Sequence, residues 1–351
     1  MKRRDRDQTK ASASRTSRGR GPSRLGLLAA IATGACALLG ASAAQASTIT
    51  IGSVLPPGFV SKPFEEVQTR LNTALPEKGA NLVSPVNGAI VRWRVQGAKG
   101  GPFYLRVLHP NGTGAYTASG TSGAVTPTNT GLQTFTANLP VHAGDLIGVD
   151  PTNATDEIGV VEVPGAGYAS IFPVPIDGAT VPARDPKSGA EIELSAEVQP
   201  TPAITSISPS SGSIAGGTAV KITGTDFTAA SAVKFGDTPA ASYAVVSETE
   251  MTATAPPTKK AGRVDISVTT LAGTSPAVGA DRFNYKACIV PKLKDNKLKA
   301  AKTRLRNAGC KLGKVKKLDG ATPKTGKVTK QNPKPRKVRL PGTKVNVTLE
   351  K

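Results

Sequence analysis

Histidine is nearly missing from this 351-residue chain, which has two, while cysteine and tryptophan are scarce at three and one. His109 precedes a proline and His142 stands before a Gly-Asp turn, with no cysteine, second histidine or carboxylate at metal-ligand spacing, so neither suggests a metal site. No Gly-x-Ser-x-Gly elbow and no phosphate-binding loop occurs. Asp145 and Asp150 flank an expected strand, and Asp156-Glu157 follow it. A calcium site or a carboxylate pair is one reading, but aspartates at strand ends more often bond to their own turn backbone. The sequence therefore assigns no catalytic residue, no metal ligand and no cofactor, and the expected protein is not an enzyme.

Long apolar runs are also few. One uncharged stretch, Leu25 to Ala46, follows a start in which residues 1–24 carry nine Lys or Arg against two Asp. A basic start, an apolar centre and the ending Ala44-Gln45-Ala46 form a secretory leader, with cleavage expected between Ala46 and Ser47. An uncleaved membrane anchor is the alternative, since twenty-two residues can span a bilayer. Lipid attachment at Cys36 is disfavoured, because Thr33 stands where a lipidation motif has leucine. With the leader removed the protein has no transmembrane span, and it is expected to be secreted, extracellular or wall-associated. Cleavage removes Cys36 and leaves Cys288 and Cys310, which have one possible pairing in an oxidising compartment; two unpaired buried thiols remain the alternative.

What the chain has in quantity is glycine and proline, 37 and 28 residues, with turn dipeptides such as Asn87-Gly88, Asn111-Gly112 and Asp177-Gly178 between short β-branched runs. That pattern predicts a mainly β protein with two β-sandwiches, the first jelly-roll-like and the second immunoglobulin-like, followed by a small α+β module. In the first domain, residues 47–198, strands are expected at 48–51, 90–95, 103–108, 115–119, 134–139, 146–149, 158–163 and 191–198, with one short helix over 64–71. Ile90, Trp93 and Val95 alternate with Arg92 and Arg94. Ile192, Leu194 and Ala196 alternate with Glu191, Glu193 and Glu197, so one face should be dry and the other wet. Trp93 suits a core position better than a sugar-stacking one.

A linker at 199–202 leads to residues 203–285. Pro209, Gly212, Gly216-Gly217-Thr218, Val220, Ile222, Gly224, Phe227, Val233 and Phe235-Gly236 follow in order, then Val264 to Val268 and Phe283-Asn284-Tyr285. This progression closely resembles the IPT/TIG immunoglobulin-like domain, which implies a spacer or adhesive unit. Pro209 and the glycine pairs suit turns, Gly224 suits a break in its strand, and Phe227 and Phe235 suit a core between two sheets.

Residues 286–351 hold twenty-one Lys or Arg and three Asp or Glu, a net of +18, whereas residues 25–285 hold fifteen against nineteen. Asp295 or Asn296 is placed to cap a helix on which Leu298, Ala301, Leu305 and Ala308 recur at intervals of three and four, and Gly309 is a suitable left-handed stop. Strands are expected at 314–318, 327–331 and 343–349. Val290-Pro291, Leu293, Ala301, Leu305, Gly309, Gly326, Val328, Gln331, Pro333, Gly342, Val345, Val347 and Leu349 resemble a PASTA domain in order and spacing. Asn296 and Arg336 stand where that family usually has glycine. The resemblance implies association with cell-wall peptidoglycan.

Lys299, Lys302 and Arg306 fall off the apolar helix stripe, and Lys311, Lys314 and Lys316 follow it; these six are the candidate polyanion-binding residues. The expected partner is peptidoglycan or another anionic wall or extracellular polysaccharide. Specific nucleic-acid binding is not expected, because no aromatic residue follows Tyr285 to stack on bases. The alternative function makes the first sandwich an adhesive or lectin-like domain and the other two its stalk.

Overall fold

A computed structural model describes residues 47–351. The expected leader, with its expected cleavage after Ala46, lies outside the described residues. Ser47 is exposed, and its hydroxyl donates to Asp226 Oδ1 at 3.0 Å.

The first domain contains eleven strands: β1 (Ile49–Gly52), β2 (Val60–Pro63), β3 (Thr69–Ala74), β4 (Gly88–Val95), β5 (Tyr104–Pro110), β6 (Ala115–Thr121), β7 (Gln133–Val141), β8 (Leu146–Asp150), β9 (Glu157–Ile171), β10 (Thr180–Ile192) and β11 (Leu194–Pro200). They form a four-stranded sheet in the order β1-β11-β4-β7, facing a seven-stranded sheet in the order β10-β6-β5-β8-β3-β9-β2. Ile51, Ile90, Trp93 and Val95 from the first sheet meet Leu105, Val107, Val149 and Ile158 from the second. Because strand side chains alternate between faces, Leu108 and Leu71 point away from this core. They join Ala118, Ala169 and Ile171 in a second cluster, where β10 pairs with both β6 and β9 and curls the larger sheet on itself.

Trp93 is fully buried, with its ring 5.1 Å from that of Phe135, so it packs the core. Ile90 and Trp93 have opposite parity yet both point inward, because the β4–β7 register slips between Ile90 and Arg92.

Two expectations for this domain fail. The segment expected to be helical, 64–71, is a bend followed by β3. Phe64 is drawn fully into the core, Glu65 takes a left-handed φ of 67°, and β2 and β3 on either side both pair with β9. The glutamates of 191–198 are not on a wet face: Glu191 and Glu193 are 0% exposed and Glu197 is 6% exposed. Glu197 is covered by Arg92 and Arg94, both of which pair with it. Glu191 accepts from Ser53 Oγ at 2.5 Å, whereas neither oxygen of Glu193 has a partner. Burial, with the charges of Glu191 and Glu77 behind it, pushes Glu193 up to about 8. Burial also lifts Glu191 to about 7, against the Ser53 hydrogen bond and with the help of Glu77. This stretch is two strands that part at Glu193.

The aspartates considered as a calcium site are engaged by the protein itself. Asp145 accepts from the His142 N–H at 2.8 Å and meets His109 Nδ1 at 2.8 Å. Asp156 accepts from the N–H groups of Gly101, Thr152 and Asn153, which holds its carboxyl below the usual range despite burial. Asp150 lies in a buried ion pair with Arg106 at 2.6 Å, supported by Thr69 Oγ1 at 2.5 Å, and burial raises its pKa.

The second domain is a sandwich of β12 (Ala203–Ser208), β13 (Ser211–Ser213), β14 (Ala219–Thr225), β15 (Ala232–Phe235), β16 (Thr238–Pro239), β17 (Ser242–Ser247), β18 (Glu250–Thr254), β19 (Gly262–Thr270), β20 (Gly273–Thr274) and β21 (Arg282–Lys286). Sheet β12-β14-β18-β17 packs on sheet β13-β21-β19-β15-β16 through Val220, Ile222, Phe227, Phe235, Met251, Val268 and Phe283. The Phe283 ring sits edge-on to Phe235 at 5.2 Å and to Tyr285 at 5.0 Å. Tyr285 donates its hydroxyl to the Pro256 carbonyl at 2.9 Å, and burial pushes its pKa up to about 12. Gly224 does not break its strand, as expected above. It lies within β14, where an added Cβ would come 1.9 Å from the Ala203 carbonyl, so its role is close approach of β12.

The third domain follows after one connecting residue, Ala287. It comprises β22 (Cys288–Ile289), α1 (Leu298–Asn307), β23 (Lys311–Lys317), β24 (Lys327–Asn332), β25 (Val338–Arg339) and β26 (Lys344–Glu350). Strand β26 is central, parallel to β23 and antiparallel to β24. Ala301 and Leu305 of α1 pack on Val328, Val345, Val347 and Leu349. Among the described residues, no helix is long and apolar enough to cross a membrane.

Candidate anion-binding cleft of the C-terminal domain

Helix α1 is fixed to the sheet by its Ala301 and Leu305 face, while Leu298 and Ala308 are half-buried at its ends. Its start differs from expectation. Lys297 is the N-cap and makes no side-chain capping bond; Asn296 instead donates its amide to the carbonyls of Leu293 and Lys294, and Asp295 takes a left-handed φ of 68°. The end is better made. Gly309, at φ 72°, donates its N–H to the Arg306 carbonyl, and Cys310 donates to the Leu305 carbonyl at 2.8 Å. This is a Schellman closure, which satisfies carbonyls of the last turn and reverses the chain. It brings Cys310 onto Cys288, and the two form a disulfide. For a separation of 22 residues, chain entropy assigns such a link about 3 kcal/mol.

Lys299, Lys302 and Arg306 stand at i, i+3 and i+7 and so share one helix face. The reversal at Gly309 places Lys311, the first residue of β23, beside them. Together with Thr303, Cys310 and Leu312 these four cations line a cleft of about 530 Å³. Among the described residues, no ion pair involves any residue after Arg282. The cleft therefore carries positive charge with no internal acid to neutralise it. The remaining candidates lie elsewhere: Lys314 and Lys316 are exposed on β23 and do not line the cleft. β23 is an edge strand in the order β23-β26-β24, where lysines discourage pairing with another chain. Their spacing along the sequence did not distinguish that role from ligand binding. Thr303 and Leu312, which the sequence reading did not single out, become visible once Lys299 and Arg306 are seen to share a face with Thr303, and once the turn at Gly309 is fixed.

Comparison with known proteins agrees with this domain division. Residues 202–285 match the IPT/TIG domain and residues 289–351 match the PASTA domain. The chain thus carries an IPT/TIG domain followed by a PASTA domain, a pair that fits a modular cell-envelope protein, and PASTA domains are known to bind peptidoglycan. No curated protein gives a significant match. Among solved structures, the gamma-CGTase of Alkalophilic bacillus clarkii aligns with 61% of this chain and 26% of that chain, at 18% identity and a TM-score of 0.22. A likeness at that level carries no argument.

Proposed function

We propose that this is a secreted, non-enzymatic, modular protein of the bacterial cell envelope, whose basic C-terminal domain holds peptidoglycan or another anionic wall glycan. The observation that carries the reading is the cleft where Lys299, Lys302, Arg306 and Lys311 converge without an acidic partner, within a domain matching a family known to bind peptidoglycan. Carboxylates of wall peptides and acidic groups of wall polymers are the complementary chemistry. Lysine and arginine at the rim of an open cleft attract such polymers over about a Debye length, roughly 8 Å at physiological salt.

The disulfide supports the reading from a second direction, because a small domain stapled in this way suits an oxidising compartment outside the cytosol. The IPT/TIG domain would then act as a spacer that sets the first sandwich away from the wall. Co-sedimentation of the secreted chain with purified cell walls tests this. Retention at about 50 mM salt that falls at about 500 mM supports an electrostatic contact with the wall. Absence of retention at the lower salt would remove the reading.

A further inference from the structure

Arg70 on β3 is a buried guanidinium with no anion beside it. The residue is 6% exposed. Its Nη2 donates to the carbonyls of Pro63 at 2.7 Å and Phe64 at 3.1 Å, and its Cζ lies 4.5 Å over the Phe64 ring. Nε and Nη1 have no partner and are closed off from solvent, so three of the five N–H donors of a guanidinium are unused and buried. Among the described residues, no carboxylate reaches ion-pair distance of it; Glu65 acts on it only from further away, and burial lowers its pKa. Arginine does not discharge at neutral pH, so the site holds a desolvated, uncompensated positive charge. Protein interiors normally supply such a charge with an anion.

Arg70 also lines a cleft of about 590 Å³, within the usual size range of small-molecule sites. The β-ladders explain how the lining assembles. Arg70 and Arg184 both stand opposite Ser170 across β3, β9 and β10, and Lys187 stands opposite Tyr168 in the next row. Arg184 is already engaged: it pairs with Glu66, lies 3.5 Å from Asp185 and sits 4.2 Å over the Phe172 ring. The lining as a whole sets four cations, Lys62, Arg70, Arg184 and Lys187, against three carboxylates, Glu65, Glu66 and Asp185, a net of +1. The hydroxyls of Tyr168 and Ser170 add neutral hydrogen-bonding groups on the same wall. One desolvated guanidinium and two exposed lysines suit a singly charged group better than a dianion, which Glu65 would oppose. The polar, open remainder suits a hydroxylated ring better than an apolar ligand.

We propose that this cleft of the first domain binds an acidic sugar of the hexuronate class, with its carboxylate held by the uncompensated charge of Arg70 and its hydroxyls by Tyr168 and Ser170. The site is separate from the C-terminal cleft and does not depend on it.

The experiment is titration calorimetry on the secreted chain carrying Lys302→Glu and Arg306→Glu, so that the C-terminal cleft contributes nothing. The probes are D-glucuronate, D-glucose, acetate and inorganic phosphate. Saturable binding of glucuronate, with glucose and acetate each weaker by about tenfold or more, supports the assignment. So does a loss of about tenfold or more in Arg70→Gln that retains the melting transition of its parent. If Arg70→Gln does not fold, the exposed pair Lys62→Glu and Lys187→Glu replaces it, with a loss of about fivefold expected from charge reversal alone. No binding of glucuronate, equal binding of acetate or phosphate, or an unchanged affinity in the variants would overturn the proposal. Each of those results leaves wall retention by the unsubstituted chain to be judged separately.

Discussion

Gly309 faces the carbonyl of Ala287 so closely that a Cβ on the glycine would lie 2.5 Å from that oxygen. The contact joins the end of the only α-helix among the described residues to the residue that connects the second and third domains. Gly309 also holds a φ of 72°, so its position is set twice, once by backbone conformation and once by space. Gly309→Ala should therefore destabilise the C-terminal domain by about 2 kcal/mol or more, beyond the ordinary left-handed cost. Urea denaturation followed by circular dichroism measures this, and a loss under about 0.5 kcal/mol would show that the turn has another conformation available.

The Cys288–Cys310 link closes the segment that contains α1, with both sulfurs in the core. Replacing both cysteines by serine should cost about 3 kcal/mol through the freed unfolded chain, and more if the hydroxyls go unpaired. Protein lacking residues 1–46, folded under oxidising conditions and denatured without reductant, should contain no free thiol. Thiol titration checks the second statement and denaturant melts check the first.

Buried carboxyls in the first domain give stability a definite pH dependence. Glu193 and Glu191 titrate near 8 and 7 when folded, against an ordinary value of 4.5. Between pH 4.5 and those values the folded state holds protons that the unfolded state has released, so stability falls as pH rises through that window and levels off above about pH 8. Thermal melts from pH 5 to about 8.5 should show a declining midpoint for the first domain. Glu193→Gln should flatten the decline and raise stability at pH 8 by about 2 kcal/mol, since it removes a desolvated charge. An unchanged pH profile in the glutamine variant would contradict the assignment.

Arg106 and Asp150 form a buried pair at 2.6 Å, and Thr69 donates to the same carboxylate. Asp150→Ala leaves the Arg106 guanidinium buried with only Asp177 beside it, and should cost about 3–5 kcal/mol. Removing both Arg106 and Asp150 in favour of apolar residues should cost less than either single change. A double-mutant cycle in urea decides between this coupling and independent effects.

The parts of this fold that were legible in the sequence are those fixed by neighbours along the chain. Ala301, Leu305 and Gly309 define α1 within a dozen residues, and Lys299, Lys302 and Arg306 share a face by helical spacing alone. Phe227, Phe235 and Phe283 likewise belong to a progression of turns and strands that is readable in order. What was not legible depends on distant pairing. Residues 60–63 and 69–74, on either side of the bend at Phe64, become strands because β9, some ninety residues away in sequence, pairs with β2 and β3. β10 contains Pro182, Pro186 and Gly189 and reads as loop, yet β6 and β9 hold it as strand. Glu191, Glu193 and Glu197 alternate with apolar residues as they would on a solvated strand. Only the tertiary fold reveals that Arg92, Arg94 and Ser53 cover their side of the sheet. The acidic-sugar cleft is of this second kind, since Arg70, Ser170 and Arg184 meet only across three strands.

The most direct test of the central claim is wall retention by the protein with and without Lys302→Glu and Arg306→Glu, measured by co-sedimentation at low salt. Both residues are exposed, so the fold should be unaffected. The account predicts that the unsubstituted protein pellets with purified walls and that the double variant loses most of this retention, by about tenfold or more in apparent affinity. Retention of the double variant at the unsubstituted level would contradict it and move the wall contact to another surface.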